Sequence, residues 1–155
     1  MLPLPTVEHL IEQLARRQIV LPPGTVGVAG FGDSAALSNE LLALIFSGRK
    51  RASCALEWSY AFDREALPMV GSLEIVVDHL NQPVCVTRVI SVAVRPFDQV
   101  DATHAALEGE GDLSLAYWRA EHARFFDREC ARIARAPTRD MPIVCSEFGI
   151  FLRLQ

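Results

Sequence analysis

The segment Gly48-Arg49-Lys50-Arg51-Ala52-Ser53 lies between a helical pattern and a strand pattern, and it marks their junction. Before it, apolar residues recur at helical spacing, which predicts a helix over about 35–47. Gly48 suits the left-handed conformation just past a helix end. After it, apolar residues alternate with small or polar ones, which predicts a strand over 53–58. The junction therefore places a lysine at the turn from helix to strand.

The rest of the chain extends this α+β pattern. Further helices are predicted from Thr6 onward and over 114–135, and β-prone runs occupy 25–31, 73–78, 84–94 and 143–154. Short strands with hairpin spacing favour antiparallel pairing. We therefore expect a small, partly closed β-barrel of five to six mostly antiparallel strands with flanking helices. Residues 1–24 are interpreted as a helical extension packed on a domain formed by 25–155.

The composition limits the class of protein. The 155 residues carry a formal net charge of −4, so the chain lacks the excess of Lys and Arg with which proteins coat long nucleic acids. No apolar run has the length needed to span a bilayer, and the first residues lack the pattern of a signal peptide. The four cysteines are widely spaced in apolar surroundings, which favours buried, reduced thiols in a cytoplasmic protein. We expect no membrane partner.

Lys50 is the first candidate for chemistry. At an ordinary pKa of about 10.4 a lysine is almost fully protonated at neutral pH, and burial beside other cations favours the neutral amine instead. Arg49 and Arg51 flank it, and the Ser53 hydroxyl follows three residues later. The alternative is a set of solvated cations that interact with the dipole of the preceding helix.

Arg88 is the second candidate. In the run from Val84 it shares parity with apolar residues, so it is expected to point inward unless a bulge shifts the register. A buried guanidinium requires an anion, because it cannot lose its proton. That anion would be a ligand, or a carboxylate of the protein such as Glu57 or Glu110.

The acidic segment 108–112 holds a third set of candidates. Asp112 is explained as a residue that caps the following helix. Glu110 is not, since glycines on both sides of it indicate backbone brought close to another part of the molecule. A glutamate in a cavity could accept a proton or hold a water.

Aromatic residues and residue types that bind metals give weaker indications of function than these candidates. His122 falls on the inward stripe of its helix, where a hydrogen-bonded core histidine is the favoured interpretation. Trp58 and Trp118 could stack on a base, although packing is the default for both. The sequence has no H-x-x-x-H, no C-x-x-C and no carboxylate triad at ligand spacing. We expect neither a metal nor another cofactor.

The sequence resembles the ASCH domain family, relatives of the PUA RNA-binding fold, from about Phe31 to the C-terminus. The junction segment fits the family motif G-x-K-x-x-T/S. The other matching stretches are 31–34, 40–44, Trp58, 83–88, 96–100, 108–112, 114–115, 118–119, 125–126 and 142–145. Their order and spacing carry the resemblance.

The resemblance implies a PUA-like barrel with a cleft lined by the lysine motif. Some members resemble amidohydrolases that deacetylate acetylcytidine with a Lys, a Thr and a Glu. Carried over, Lys50 would be nucleophile or base, Ser53 would replace the usual Thr, and Glu110 would be the acid, with Glu108 as the alternative match. Arg49, Arg51, Trp58, Arg88 and Glu108 are the expected ligand-binding residues.

Three functions follow as hypotheses. The first is an amidohydrolase acting on an acylated nucleoside, and the second is a non-catalytic RNA-binding or regulatory module. The third is a metal-independent ribonuclease. The expected partner is a modified nucleoside or a short single-stranded RNA. The acidic net charge favours a small ligand over a polyanion, and so ranks the first above the third.

Overall fold

A curled five-stranded sheet forms the centre of the computed structural model, which describes residues 2–155. The strands are β1 (Val26–Gly30), β2 (Ala52–Leu56), β3 (Leu73–Val77), β4 (Pro83–Pro96) and β5 (Pro142–Arg153). The helices are α1 (Val7–Arg16), α2 (Ala35–Phe46), α3 (Glu57–Asp63), α4 (Ala102–Glu108) and α5 (Leu115–Arg132). Among the helices of residues 2–155, none combines the length and apolar character needed to cross a bilayer.

The order of strands across the sheet is β1-β3-β4-β5-β2. Only β1 and β3 run parallel, and the other three neighbouring pairs are antiparallel. The parallel pair follows from the chain path, since α2, β2 and α3 lie between β1 and β3 in sequence and return the chain to the end of the sheet at which β1 begins. The predicted α+β half-barrel of mostly antiparallel strands is confirmed.

Three apolar clusters hold the helices against the sheet. In the first cluster, Leu10 and Leu14 of α1 pack against residues of β3 and β4. In the second cluster, Leu42 and Ile45 of α2 pack against Val76 and its neighbours. The third contains α5 and part of β5. Burial of apolar side chains on both faces gives the sheet a core on each side.

Two elements differ from the sequence prediction. The strand that was expected to continue to Trp58 ends at Leu56, and α3 follows directly, with its Ser59 hydroxyl donating to Glu129 Oε2 of α5 at 2.9 Å. The stretch between the predicted strand 84–94 and the predicted helix 114–135, where no helix was expected, contains α4. Asp101 caps α4 by accepting from the His104 amide, and Gly109 ends it with a φ of 73°. Seven residues are too few for apolar periodicity to reveal such a helix.

Candidate active site

Lys50 is held in place by its own backbone. Its amide and that of Arg49 donate to the Leu44 carbonyl, each at 3.0 Å, and so close the end of α2. The Arg51 amide donates to the Leu107 carbonyl of α4 at 2.8 Å. The junction is thus fixed between α2 and α4, and the Lys50 side chain is only 3% exposed.

The Lys50 amine is surrounded by oxygen atoms. It donates to the Ala52 carbonyl at 3.0 Å, to the Glu108 carbonyl at 3.4 Å and to Glu110 Oε2 at 2.8 Å. An ammonium group has three N–H donors, and here three acceptors match them. Arg49 and Arg51, expected as neighbouring cations, are both exposed. The Lys50 amine therefore lies among carbonyl and carboxylate oxygens, not beside the two arginines that flank it in the sequence.

Glu108 is the centre of the buried hydrogen-bond network. It is 2% exposed, and its Oε1 accepts from His104 Nε2 at 2.8 Å and from Trp118 Nε1 at 2.9 Å. Its Oε2 lies 3.2 Å from His122 Nε2 and 3.6 Å from Lys50 Nζ. Burial by itself raises the pKa of this carboxyl, but the two histidines and the Lys50 charge hold it well below its usual range. Glu108 is therefore a carboxylate that anchors its neighbours.

His122 faces an acceptor with each ring nitrogen. Its Nδ1 lies 2.8 Å from the Trp118 carbonyl, and its Nε2 lies 3.2 Å from Glu108 Oε2. A carbonyl and a carboxylate can only accept, so the protonated imidazolium satisfies both contacts. Burial favours the neutral ring, but the Glu108 hydrogen bond and charge outweigh it, and the pKa of His122 is raised. With Lys50, Glu108 and Glu110, the ring completes a cluster of two cations and two anions.

The stability of the protein is expected to depend on pH through this cluster. Because the pKa of His122 is raised in the folded state, its contribution is complete below about 6.5 and is lost as the pH rises through the folded value. Glu108 has a lowered pKa, so its contribution is complete above about 4.5 and is lost as the pH falls. Urea unfolding should show the free energy of unfolding decreasing above pH 6.5.

The His122→Gln variant should lose most of that alkaline decrease, because the titrating group is gone. His9→Gln is the matched control, since His9 is exposed on α1. An alkaline decrease of the same size in His122→Gln and in the wild-type protein would refute the imidazolium assignment.

The glycines beside Glu110 are required by close contacts. A Cβ on Gly109 would lie 2.4 Å from the Arg49 carbonyl oxygen, and Gly109 also has a φ of +73°. A Cβ on Gly111 would lie 2.3 Å from the Tyr117 ring. The close approach that the sequence indicated is thus an approach to the lysine segment on one side and to α5 on the other. It places the Glu110 carboxylate against Lys50.

Gly109→Ala is expected to destabilise the protein by about 2–5 kcal/mol, the sum of left-handed strain and a backbone clash. Gly48→Ala is the matched control, because Gly48 has a φ of +76° but open space where the Cβ would lie. The Gly48→Ala variant should lose only about 1–2 kcal/mol of folding stability. Urea unfolding of both variants measures the difference, and equal losses would show that the contact with Arg49 does not constrain the loop.

A cleft of about 940 Å³ opens beside the charged cluster. Lys50, Ser53, Glu108 and Glu110 all line it. The Ser53 hydroxyl lies 3.5 Å from the Ser146 hydroxyl across the β2–β5 pair. The other titratable residues along the cleft are Asp33, Cys54, Tyr60, Glu65, Glu74, Tyr117, Glu121, His122 and Arg128. All three predicted catalytic residues therefore face one cavity.

The remaining predicted ligand-binding residues lie elsewhere. Arg49 and Arg51 are exposed and do not line the cleft. Trp58 is half-buried against the apolar cluster of α5, with the Arg135 guanidinium 4.2 Å from its ring centroid. The default interpretation of Trp58, packing, describes its position.

The inward orientation predicted for Arg88 is wrong. Arg88 is exposed, and its guanidinium lies 4.4 Å from the centroid of the Phe151 ring. Parity is not kept along β4, because its register shifts against β3 and against β5, and Val84 packs in the α2 cluster whereas Val86 packs in the α1 cluster. The cover over the face that holds Arg88 is also incomplete. That cover includes Val86, which packs with Leu10 and Leu14 of α1, but it does not extend to Arg88.

Several cleft residues were not found from the sequence. His122 was interpreted as a core histidine, although it is ion-paired and lines the cleft. His104 and Glu108 are four residues apart on α4, and this helical spacing could have signalled their contact. Glu74 gave no local signal, because it sits in an otherwise ordinary strand.

Some of these side chains have atom types that bind metals. The ligand atoms of Glu108, Glu110 and His122 lie within 4.8 Å of one another, and so do those of Cys54, His104 and Glu108. In the first group the Lys50 ammonium already contacts both carboxylates. Burial first, and then the Glu108 charge, raise the pKa of Cys54, which keeps it a neutral thiol. We therefore assign Glu108, Glu110 and His122 to the charged cluster.

Comparison with known proteins agrees with the fold. A family model described as ASCH domain matches residues 27–151. The crystal structure of an ASCH domain from Lactobacillus crispatus is 32% identical, with a TM-score of 0.81 and 94% of each chain covered. A protein structure from Enterococcus faecalis is 31% identical, with a TM-score of 0.78, covering 95% of this chain and 88% of that one. No curated protein matches significantly.

The curled half-barrel with its flanking helices is a PUA-like fold. The match over residues 27–151 then gives the family: this chain belongs to the ASCH domain family.

Proposed function

We propose that the cleft binds an acylated nucleoside, such as acetylcytidine, and hydrolyses its acyl amide bond. The observation that carries this proposal is the contact between the buried Lys50 ammonium and Glu110 Oε2, at 2.8 Å, in the wall of a cleft. A paired acid and base next to a cavity is the arrangement that amide hydrolysis needs. The cavity, at about 940 Å³, has room for a nucleoside.

Glu110 serves as the general base in this proposal. Its side chain is 26% exposed, so water can reach it, unlike the fully enclosed Glu108. It accepts a proton from a water molecule as the water oxygen bonds to the acyl carbonyl carbon. The tetrahedral intermediate then carries its negative charge on the former carbonyl oxygen. The hydroxyl of Ser53, which faces the same cleft, can donate a hydrogen bond to that oxygen.

Lys50 serves as the general acid. As the bond between the acyl carbon and the exocyclic nitrogen breaks, the ammonium gives a proton to that nitrogen. The products are a carboxylic acid and the free amine of the nucleoside. The proton held by Glu110 then passes to Lys50 across the contact between them, which restores both groups.

The alternatives use the same cleft. A non-catalytic RNA-binding or regulatory module would clasp a base there without reaction. A ribonuclease would need cations for the phosphate, yet six carboxylates line the cavity, on Asp33, Glu65, Glu74, Glu108, Glu110 and Glu121. Carboxylates attract N–H and O–H donors and repel phosphates, so the amidohydrolase is favoured.

Hydrolysis of acetylcytidine by the purified protein tests the proposal, with release of cytidine as the measurement. Lys50→Met keeps the apolar stem and removes the acid, so turnover should fall at least about 100-fold while circular dichroism stays native. RNA affinity that decreases steeply with salt, without turnover of any acylated nucleoside, would favour the binding module instead.

A further inference from the structure

The cations that line the cleft are already paired with carboxylates. Lys50 contacts Glu110 and Glu108, and His122 contacts Glu108. The third, Arg128, contacts Asp33 at 3.4 Å. Within residues 2–155 these three are the Lys, Arg and His side chains of the cleft wall. A phosphate entering the cleft would therefore have to break an ion pair to gain a cationic partner.

Glu74 on β3 differs from these paired cations, because its charged group has no partner in the described part of the chain. It is half-buried in the cleft wall, and within the described chain no hydrogen bond or ion pair engages its carboxylate. Burial alone raises its pKa. Gly27 on the neighbouring strand leaves it room, since a Cβ there would lie 3.9 Å from Glu74 Cγ. Glu74 is thus a partly desolvated acceptor that faces the cavity without a partner.

The Tyr60 hydroxyl lies in the same part of the cleft. Burial, followed by the charges of Glu74 and Glu65, raises the pKa of Tyr60 to about 12. Tyr60 lines the same cleft as Lys50, Cys54 and Glu74. A ligand that fills the cleft beside Lys50 therefore shares it with Tyr60 and Glu74.

We propose, on the basis of the function proposed above, that Glu74 makes the cleft selective for unphosphorylated nucleosides. Its carboxylate accepts hydrogen bonds from sugar hydroxyls and repels the phosphate of the corresponding nucleotide. A phosphate monoester carries about −1.5 to −2 charges at neutral pH. At an effective dielectric constant of about 20, one like charge about 8 Å away lowers affinity by roughly 30-fold.

This selectivity places the reaction after phosphate removal. Acylated nucleotides released from RNA would have to pass through a phosphoester hydrolase before they could enter the cleft. The products that leave are a free nucleoside and a short carboxylic acid.

Calorimetric binding of cytidine and of cytidine 5′-monophosphate to the wild-type protein tests the inference, because neither ligand is hydrolysed. At low salt the nucleotide should bind at least about 30-fold more weakly. In Glu74→Gln the dissociation constant of the nucleotide divided by that of the nucleoside should fall by about 30-fold, because one charge repulsion is lost. Glu12→Gln, on the exposed side of α1, is the matched control and should keep the wild-type ratio.

Equal affinities in the wild-type protein, binding of neither ligand, or an unchanged ratio in Glu74→Gln would each overturn the inference. The test of selectivity and the test of the proposed reaction can give different results. Selective cytidine binding without hydrolysis of acetylcytidine would reject the amidohydrolase and keep the selectivity. Hydrolysis of acetylcytidine and of its 5′-monophosphate at equal rates would keep the amidohydrolase and reject the selectivity.

Discussion

Glu110→Gln is expected to lower kcat for acetylcytidine hydrolysis by about 10²- to 10⁴-fold, with little change in KM. Glutamine keeps the volume of the side chain and can still accept the Lys50 hydrogen bond, but it cannot take a proton from water. Since the Glu110 side chain is 26% exposed, the substitution should leave the fold intact. Steady-state kinetics with unfolding measurements on the same sample will separate the chemical effect from a structural one.

Arg88→Ala is the control for that experiment. Arg88 was a ligand-binding candidate in the sequence, but it is exposed and lies outside the cleft. Its kcat/KM should stay near the wild-type value. If Glu110→Gln retains full activity, the base must be another group, and the mechanism proposed for the Lys50 pair is wrong.

Glu108→Ala is expected to cost about 3–5 kcal/mol of folding stability, because removing one partner of a buried ion pair leaves charges without compensation. His104, Trp118 and His122 would each lose an acceptor in a site from which water is largely excluded. Lys50 would keep Glu110 but lose the second carboxylate. Urea unfolding at pH 6.5 is the measurement.

Glu121→Ala is the matched control for this loss. Glu121 is a glutamate of α5 that pairs with Arg124 at the surface, where the side chains of Glu121 and Arg124 are 46% and 66% exposed. Exposed pairs contribute at most about 1 kcal/mol. A Glu108→Ala variant no less stable than Glu121→Ala would mean that Glu108 does not anchor the cluster.

The local parts of the site could be predicted from the sequence. Gly48 ends α2 in the left-handed conformation, so Lys50 had to follow at the entrance to β2. The glycines around Glu110 indicated a close backbone approach, and Gly109 does approach the lysine segment. Both signals depend on backbone conformation within a few residues, which a sequence records directly.

The partners of these residues could not be predicted in the same way. The sequence suggested that Lys50 lies beside the cations Arg49 and Arg51, but both of these side chains are exposed. Its partners are instead Glu108 and Glu110, about 60 residues away in the sequence. The predicted inward orientation of Arg88 was wrong for a related reason. Parity gives the face of a strand, but only the extent of the helix packed on that face decides what is buried.

The sequence by itself determined the α+β half-barrel, the lysine at the junction of α2 and β2, and the glutamate held between two glycines. These follow from periodicity and backbone preference, which act over short stretches of chain. Only the tertiary structure decided that Glu108 would bind two histidines, a tryptophan and a lysine, and that Glu74 would face the cleft without a partner. The energy of a buried charge depends on groups brought together from distant elements, and no local pattern encodes their distances.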